Sequence, residues 1–267
     1  MMYKIMSVNV LGKYLQHESE DEITESRMKT IAECIELYAP ASVGVQEYGR
    51  QNKKFFPKYL PEKYEFVEFG QDWISTFYDA DLLRLEHSIC KRLTTSSGQK
   101  YCFTIAVFSE KESGKLAYIH GNLHLEYKDK ETRIINAEEI NAELSELYKD
   151  NEDYSTLPLA ITGDYNANLV TEPEVFSTMA GELHIRSAMT VADVAEDGQA
   201  TFHGKLGNPR GEGNAIDHVL VNCDTTHVLS HDVIKENDYP EILDASDHYP
   251  VLVEFEPLLR DTTKGKN

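Results

Sequence analysis

The chain has 267 residues, 27% of them charged and 41% hydrophobic, and its 46 acidic and 26 basic side chains give a net charge of −20. This composition is typical of a globular protein with enough apolar residues for one large core. It argues against a protein whose whole surface follows nucleic acid, because phosphate neutralisation needs a basic surface, but it allows a local one.

Short runs of β-forming residues alternate with a few helical segments along the chain. Apolar residues three and four apart predict helices over 24–38 and 132–148, and a shorter helix is expected after Pro173. The predicted strands lie at 3–10, 42–46, 73–78, 102–109, 116–123, 159–162, 218–221 and 251–255. Several neighbouring strands have no helix between them, so parallel βαβ repetition alone does not fit, and a mixed sheet or paired sheets flanked by helices is expected.

Neither a targeting segment nor a disulfide pattern is evident. The first residues lack the apolar stretch of a signal peptide, and no window has the roughly 18 continuous apolar residues of a membrane span, so we expect a cytoplasmic protein. The four cysteines are widely spaced without a Cys-x-x-Cys pair, which favours reduced structural thiols. We expect one domain over residues 1–258 and a flexible tail over 259–267.

Polar side chains follow the predicted strands where each strand ends, which is where catalytic groups are commonly displayed. Taken singly, each has an ordinary structural interpretation, such as an exposed carboxylate or an Asx turn. The residues concerned are Asn9, Glu47, His124, Asp164, Asn166, Asp217, Asp247 and His248. Their repeated occurrence at strand ends favours a common site.

These residues stand in the motifs NVLG, GVQE, NLH, GDYN, IDHVLV and SDHYP, whose order and spacing run from Val8 to Phe255. The set resembles the endonuclease/exonuclease/phosphatase superfamily, which includes deoxyribonuclease I. The resemblance implies an α/β fold, namely a four-layer α/β/β/α sandwich of two mostly antiparallel sheets flanked by helices. It also implies a metal-dependent phosphoesterase.

Within that resemblance, an acidic group at a strand end is expected to hold the metal. Glu47 would bind Mg²⁺ or Mn²⁺ through its carboxylate, and Asp247 and Asn9 would complete the coordination or hold its waters. Asp164 would act as general base, and Asn166, on the same side if the segment stays extended, would orient the water or bind a phosphate oxygen.

Two histidines are expected to face the phosphate. His248 would be kept as imidazolium by Asp217, since a buried carboxylate partner raises the pKa of a histidine. His124 would provide a second phosphate contact, and Asp72 is the candidate for its orienting carboxylate. The neighbouring His218 should face the opposite side of its strand and be structural.

A Gly-rich loop follows the motif TFHG, which resembles a loop in some phosphodiesterase branches. Phe202 and His203 could stack on a base or a sugar, and Arg210 could reach a phosphate. The alternative is an ordinary surface loop.

Directly after Glu47, the segment 50–63 has five basic residues and one acidic residue, which is 5 − 1 = +4, interleaved with aromatic residues. It is either a surface for phosphate attraction and base stacking or an amphipathic helix whose aromatic residues pack inward.

The sequence therefore predicts a phosphodiesterase or nuclease acting on a nucleotide, an oligonucleotide or a small phosphodiester, with neither a membrane nor an obligate protein partner. A phosphomonoesterase for a small sugar or nucleotide phosphate is the alternative, and a noncatalytic binding module is the alternative of another class.

Overall fold

A computed structural model describes residues 1–12, 20–70, 73–181, 183–195, 200–204, 206–207 and 214–258. The predicted tail over 259–267 lies outside these residues. In chain order the elements are β1 (Tyr3–Asn9), α1 (Glu20–Tyr38), β2 (Ser42–Tyr48), α2 (Arg50–Tyr59), β3 (Tyr64–Phe66), β4 (Trp73–Asp79), β5 (Leu83–Arg92), β6 (Cys102–Glu110), β7 (Leu116–His124), α3 (Lys130–Asp150), a 3-10 turn (Glu152–Thr156), β8 (Leu159–Asp164), α4 (Pro173–Ala180), β9 (Ile185–Ser187), α5 (Ala188–Val191), β10 (Val194–Ala195), β11 (Asp217–Asn222), β12 (Thr226–Val233), a second 3-10 turn (Pro240–Asp244) and β13 (Val251–Pro257).

The strands form two sheets that face each other. The first has the order β10-β12-β13-β1-β2-β4-β3 and the second has the order β5-β6-β7-β8-β11-β9. Helices α1 and α2 pack against the first sheet, and α3 and α4 pack against the second. The predicted four-layer sandwich is confirmed, and most strand pairs are antiparallel. Within the described ranges, no helix is long and apolar enough to cross a lipid bilayer.

Five of the thirteen strands in the described residues lack a clear sequence signal, and three of them, β3, β9 and β10, have three residues or fewer. The other two, β5 and β12, are long. Strand β5 is the edge of its sheet and is half-exposed along its length, so it carries charged residues where a central strand has apolar ones. Strand β12 alternates buried and partly exposed residues and is interrupted by a bulge. Neither β5 nor β12 contains the continuous apolar run by which the eight predicted strands are recognised.

The segment after Glu47 forms helix α2, and its aromatic residues pack inward. Phe55 is 3% exposed and Phe56 is 0% exposed, so neither ring is available to stack on a base. Two of its basic residues pair with α1, Lys54 with Asp21 and Lys58 with Glu25. The interpretation as an amphipathic helix is therefore confirmed, and the interpretation as a base-stacking surface is wrong.

Strand directions bring the polar motif residues to one rim of the sandwich. Strands β1 and β2 are parallel with Asn9 beside Gln46, and β7 and β8 are parallel with His124 beside Asp164. Because parallel strands end at the same edge of a sheet, their terminal residues are neighbours. Strand β11 is antiparallel to β8 and begins there, with Asp217 beside Asp164.

Candidate active site

A bulge at the end of β2 turns the carboxylate of Glu47 into the cleft between the sheets. The β2–β4 register shifts between Gln46 and Tyr48, and Glu47 has a φ of 57°, in the left-handed region. A bulge frees the extra residue from the regular alternation of the strand. Its two neighbours therefore stay buried while Glu47 faces the cleft.

Two donors from the end of β1 fix this carboxylate. The side-chain amide of Asn9 donates to Glu47 Oε1 at 3.2 Å, and the backbone N–H of Gly12 donates to Oε2 at 2.7 Å. A Cβ atom at position 12 would lie 2.3 Å from the ring of Trp73. Glycine is therefore required there, because the indole of Trp73 packs directly on the backbone that holds Glu47.

Asp164 is buried at the end of β8 and contacts residues of both sheets. Its Oδ2 accepts a hydrogen bond from Asn9 Nδ2 at 3.0 Å, and His124 Nε2 lies 3.5 Å from the same oxygen. Its Oδ1 accepts the backbone N–H of Asn166 at 2.9 Å. Asp164 thus forms the Asx turn, and its Oδ2 still faces Asn9 and His124 in the cleft.

His248 forms a buried pair with Asp217. Its Nδ1 lies 2.8 Å from Asp217 Oδ2, which leaves Nε2 facing the cleft 3.9 Å from Asp164 Oδ2. The hydroxyl of Thr201 donates to the same oxygen of Asp217 at 2.7 Å and accepts the Asp217 N–H. The carboxylate therefore orients the ring, and Thr201 orients the carboxylate.

The protonation of these groups follows from burial and from their neighbours. Burial raises the pKa of Glu47, but the charges of His124 and His248 and the hydrogen bonds from Gly12 and Asn9 outweigh it, so that its pKa lies below the ordinary value. Glu47 is therefore an anion at neutral pH.

The other carboxyl groups are shifted upward. Burial, and then the charge of Asp217, raise the pKa of Asp164. Burial also raises the pKa of Asp247, and the charge of Glu47 adds to this. For His248, burial acts to lower the pKa, but the carboxylate of Asp217 outweighs it and raises the pKa to about 10. The imidazole of His248 is therefore a cation at neutral pH.

The cleft around these groups has a volume of about 730 Å³. Trp73, Tyr127 and Phe202 line it, and of its described lining residues Lys100 is the one lysine or arginine. Trp73 is 38% exposed and Tyr127 is 46% exposed, so both rings lie at its mouth. The walls of the cleft are thus more aromatic than basic.

One wall includes Gly98, Gln99 and Lys100 of the segment 94–100, which is anchored by the buried carboxylate of Glu126. Glu126 Oε2 accepts from Thr95 Oγ1 at 3.0 Å, from the N–H of Ser96 at 3.2 Å, and from the N–H and hydroxyl of Ser97 at 3.1 and 2.7 Å. Glu126 stands two residues after His124. The wall and the histidine are therefore held by the same stretch of chain.

The structure brings most of the predicted site residues to this cleft, but it places others differently. His203 is 1% exposed and its ring packs on Tyr249 at 4.6 Å between centroids, so its burial argues against the predicted substrate contact. Phe202 lines the cleft beside His248. Asp72 and Arg210 lie outside the described residues.

Two further expectations need correction or refinement. The segment at Asn166 is not extended, since its φ of 48° is left-handed, and its side-chain amide donates to Leu125 O at 3.0 Å. Asn9 donates from its Nδ2 to the two carboxylates and accepts the N–H of Leu11 at its Oδ1, so it positions the carboxylates.

His218 is buried, and its Nε2 lies 3.2 Å from Ala167 O, as expected for a structural residue.

Arg27 is a buried residue next to the site that the sequence does not reveal. From α1 it donates to Ala245 O at 2.7 Å and also to the carbonyls of Val10 and Leu11. It thereby ties the loop after β1 to the loop that carries Asp247. Its contacts are with backbone carbonyls, up to 218 positions away, so no motif marks it.

The donor set fits a hard divalent cation. Glu47 and Asp247 offer carboxylate oxygens, and among the described residues Asp247 Oδ1 is a buried oxygen without a hydrogen-bond partner. One ligand atom each of Glu47, His124 and Asp164 lie within 4.8 Å of one another. A cation would satisfy an oxygen that is otherwise costly to bury.

Comparisons of the sequence with family models and with curated proteins give no match. Solved structures match over nearly the whole chain. An endonuclease/exonuclease/phosphatase from Bacteroides vulgatus is 20% identical with a TM-score of 0.80, covering 97% of this chain and 100% of that chain. A mannosyl-6-phosphatase from Bacteroides thetaiotaomicron is 18% identical with a TM-score of 0.77, covering 96% and 100%. D. rerio TDP2, complexed with a single-strand DNA product, is 17% identical with a TM-score of 0.74, covering 96% and 99%. The chain therefore has the fold of the endonuclease/exonuclease/phosphatase proteins, as its motifs predict.

Proposed function

We propose that the protein is a divalent-metal-dependent phosphoric ester hydrolase that acts on a phosphodiester. The observation that carries this proposal is the arrangement around Asp164, a buried carboxylate that faces the imidazoles of His124 and His248 and lies close to Glu47. Hydrolysis of a phosphoester needs a base for water and positive charge for the phosphoryl oxygens, and this arrangement supplies both.

Glu47 and Asp247 would hold Mg²⁺ or Mn²⁺, with Asn9 keeping Glu47 in place. The cation would neutralise phosphoryl oxygens and make a bound water more acidic. The remaining steps belong to the protein's own side chains.

Asp164 would take the proton from the attacking water. Its raised pKa makes it a stronger base than an ordinary aspartate, and its two oxygens are fixed by the side chain of Asn9 and the N–H of Asn166. The imidazolium of His248, held by Asp217, would donate to a phosphoryl oxygen as charge develops on it. His124 would contact a second oxygen.

The cleft favours a diester over a monoester. A monoester carries about two negative charges and a diester one. Lys100 is the one lysine or arginine among the described lining residues, whereas four of them, Trp73, Tyr101, Tyr127 and Phe202, have large aromatic rings. That lining suits a singly charged phosphate with a substituent on each side. The names of the structural neighbours include both a phosphatase and a protein bound to DNA. The experiment below therefore measures hydrolysis of a monoester as well as of a diester.

The test measures turnover of a bis-aryl phosphodiester and of the corresponding aryl phosphomonoester, followed by nucleotides, sugar phosphates and oligonucleotides, with Mg²⁺ or Mn²⁺. We expect diester hydrolysis that EDTA abolishes. Asp164→Asn should lower turnover by roughly 10²-fold or more, since it removes the base.

Asp79→Asn is the matched control. Asp79 is another buried aspartate, paired with Lys63 at 2.7 Å at the opposite end of β4 from Trp73, so its substitution should leave turnover unchanged. Absence of metal-dependent turnover on every ester would refute the hydrolase and favour a noncatalytic binding module. Preference for the monoester would identify a phosphomonoesterase instead.

A further inference from the structure

The two sheets come unusually close at Gly44 of β2. A Cβ atom there would lie 2.0 Å from Thr162 Oγ1 and 2.7 Å from Asn122 Oδ1, both of the opposite sheet. Such distances are not possible between real atoms, so position 44 requires glycine. Side chains of the second sheet therefore reach the backbone of the first at this point.

Asn122 uses this close approach to bind four partners. Its Nδ2 donates to Ser75 O at 2.8 Å and to Val45 O at 3.2 Å. Its Oδ1 accepts from Gln46 Nε2 at 2.7 Å and from Thr162 Oγ1 at 3.2 Å. The side chain is fully buried, and both of its donor hydrogens and both acceptor positions are occupied.

These contacts lie close in sequence to the residues of the proposed site. Gln46 directly precedes Glu47, Thr162 stands two residues before Asp164, and Asn122 itself stands two residues before His124. We infer that Asn122 is a positioning residue that fixes the Glu47 strand relative to the strands of His124 and Asp164, across the two sheets. The inference rests on the proposed function.

The physical reason is the sensitivity of phosphoryl transfer to geometry. Glu47 comes from one sheet, whereas Asp164 and His124 come from the other. A shift of about 1 Å between reacting groups can lower turnover by about 10²-fold. Without the Asn122 amide, Val45 O, Ser75 O and Gln46 Nε2 lose a buried partner, and the sheets would move to satisfy these groups.

The experiment compares Asn122→Leu, a near-isosteric change, with Tyr118→Phe. Tyr118 is also on β7 and hydrogen bonds Ser42 of β2 at 2.7 Å, four residues before Asn122 and far from the rim. Both variants remove a buried contact between the same two strands. The measurements are kcat and KM for the bis-aryl phosphodiester, the Kd for Mn²⁺ by calorimetry, and Tm.

We expect Asn122→Leu to lower kcat about tenfold or more with little change in KM, and to weaken Mn²⁺ binding about tenfold, as loss of a residue that orients a ligand does. Tyr118→Phe should lower Tm without changing kcat or the Mn²⁺ Kd. If Asn122→Leu does not fold, Thr162→Val removes one of the four contacts, together with the contact of the Thr162 hydroxyl to His120 Nε2. It should show a smaller loss of both quantities, which Thr162→Ser restores.

Unchanged kcat and Mn²⁺ affinity in Asn122→Leu would overturn the inference, and so would equal losses in Tyr118→Phe. A wild-type protein that binds Mn²⁺ without turnover contradicts the proposed function only, since positioning of Glu47 is then judged from the Mn²⁺ Kd. A wild-type protein that neither binds Mn²⁺ nor turns over an ester contradicts both.

Discussion

At the scale of single residues, the site depends on pairs in which one side chain sets the charge of another. His248 is the clearest example, because burial lowers the pKa of its ring and Asp217 is the main group that raises it. The partner is in turn held by the hydroxyl of Thr201. Thr201, Asp217 and His248 together thus place one positive charge in the cleft.

This pairing makes a prediction about pH. The folded-state pKa of His248, about 10, lies above the value near 6.5 of an unfolded chain. The stability it contributes is therefore full below about pH 6.5 and is lost as the pH rises toward 10. In EDTA, NMR should show the His248 ring protonated up to about pH 9.

In Asp217→Asn, the pKa of His248 should fall by about two pH units or more, because burial is then opposed only by the charges of Asp164 and Asp247. The excess stability of wild type over this variant, measured in urea, should shrink between about pH 6.5 and 10. A wild-type His248 that titrates near pH 6.5 would contradict the proposed charge.

The sequence predicted the residues that stand in short motifs, such as Glu47 and Asp164, because strand ends and local spacing mark them. It did not predict Arg27 or Asn122. Arg27 acts through carbonyls distant in sequence, and Asn122 acts through a partner sheet that forms only when the chain folds. Their roles depend on long-range contacts, which one sequence does not display.

At the scale of elements, helix α2 shows that the charge of a segment does not by itself predict a surface that attracts the substrate. Its basic residues give the segment a positive balance, yet Lys54 and Lys58 pair with acidic residues of α1. These are exposed pairs, and exposed ion pairs contribute little to stability. Their lysines face a neighbouring helix, whereas Lys100 lines the cleft.

The double variant Lys54→Gln and Lys58→Gln should therefore leave kcat/KM and its dependence on salt unchanged. Lys100→Gln should raise KM about tenfold, because a lost charge-assisted contact costs about 1.5 kcal/mol. Steady-state kinetics at low and moderate salt measures both. An effect of the α2 variant as large as that of Lys100→Gln would show that this helix attracts the substrate after all.

The bulge at Glu47 is the other feature of an element that the sequence did not indicate. An alternating pattern predicts which residues of a strand face inward, but it does not predict an extra residue that breaks the alternation. The left-handed φ of Glu47 is such a break, and it places the Glu47 carboxylate in the cleft while Gln46 before it and Tyr48 after it stay buried.

At the scale of the whole molecule, the net charge of −20 and the buried carboxylates imply that the proposed cation would stabilise the fold. A ligand that binds only the folded state at about 100 times its Kd adds about 2.7 kcal/mol. For a chain of this size, that corresponds to a rise in Tm of roughly 5–10 °C. We expect Mg²⁺ or Mn²⁺ to produce such a shift, and NaCl of the same ionic strength to produce a much smaller one.

Asp247→Asn should abolish the metal-dependent shift. Without metal, this variant should be at least as stable as wild type at pH 7, because it removes a buried charge that lacks a hydrogen-bond partner at Oδ1 among the described residues. Thermal unfolding with and without metal measures both effects. An equal metal shift in the variant and in wild type would exclude Asp247 as a ligand.

The anchoring of segment 94–100 by Glu126 has a consequence for protein engineering. The groups proposed for chemistry stand at strand ends, whereas this segment is a loop held by two carboxylates, Glu126 at Thr95 to Ser97 and Glu139 at Thr94. An exchange of substrate preference would therefore need a graft of one short loop together with the two residues that accept its hydrogen bonds. Grafting the loop alone would leave Glu126 Oε2 buried without these donors, which would cost stability before it changed selectivity.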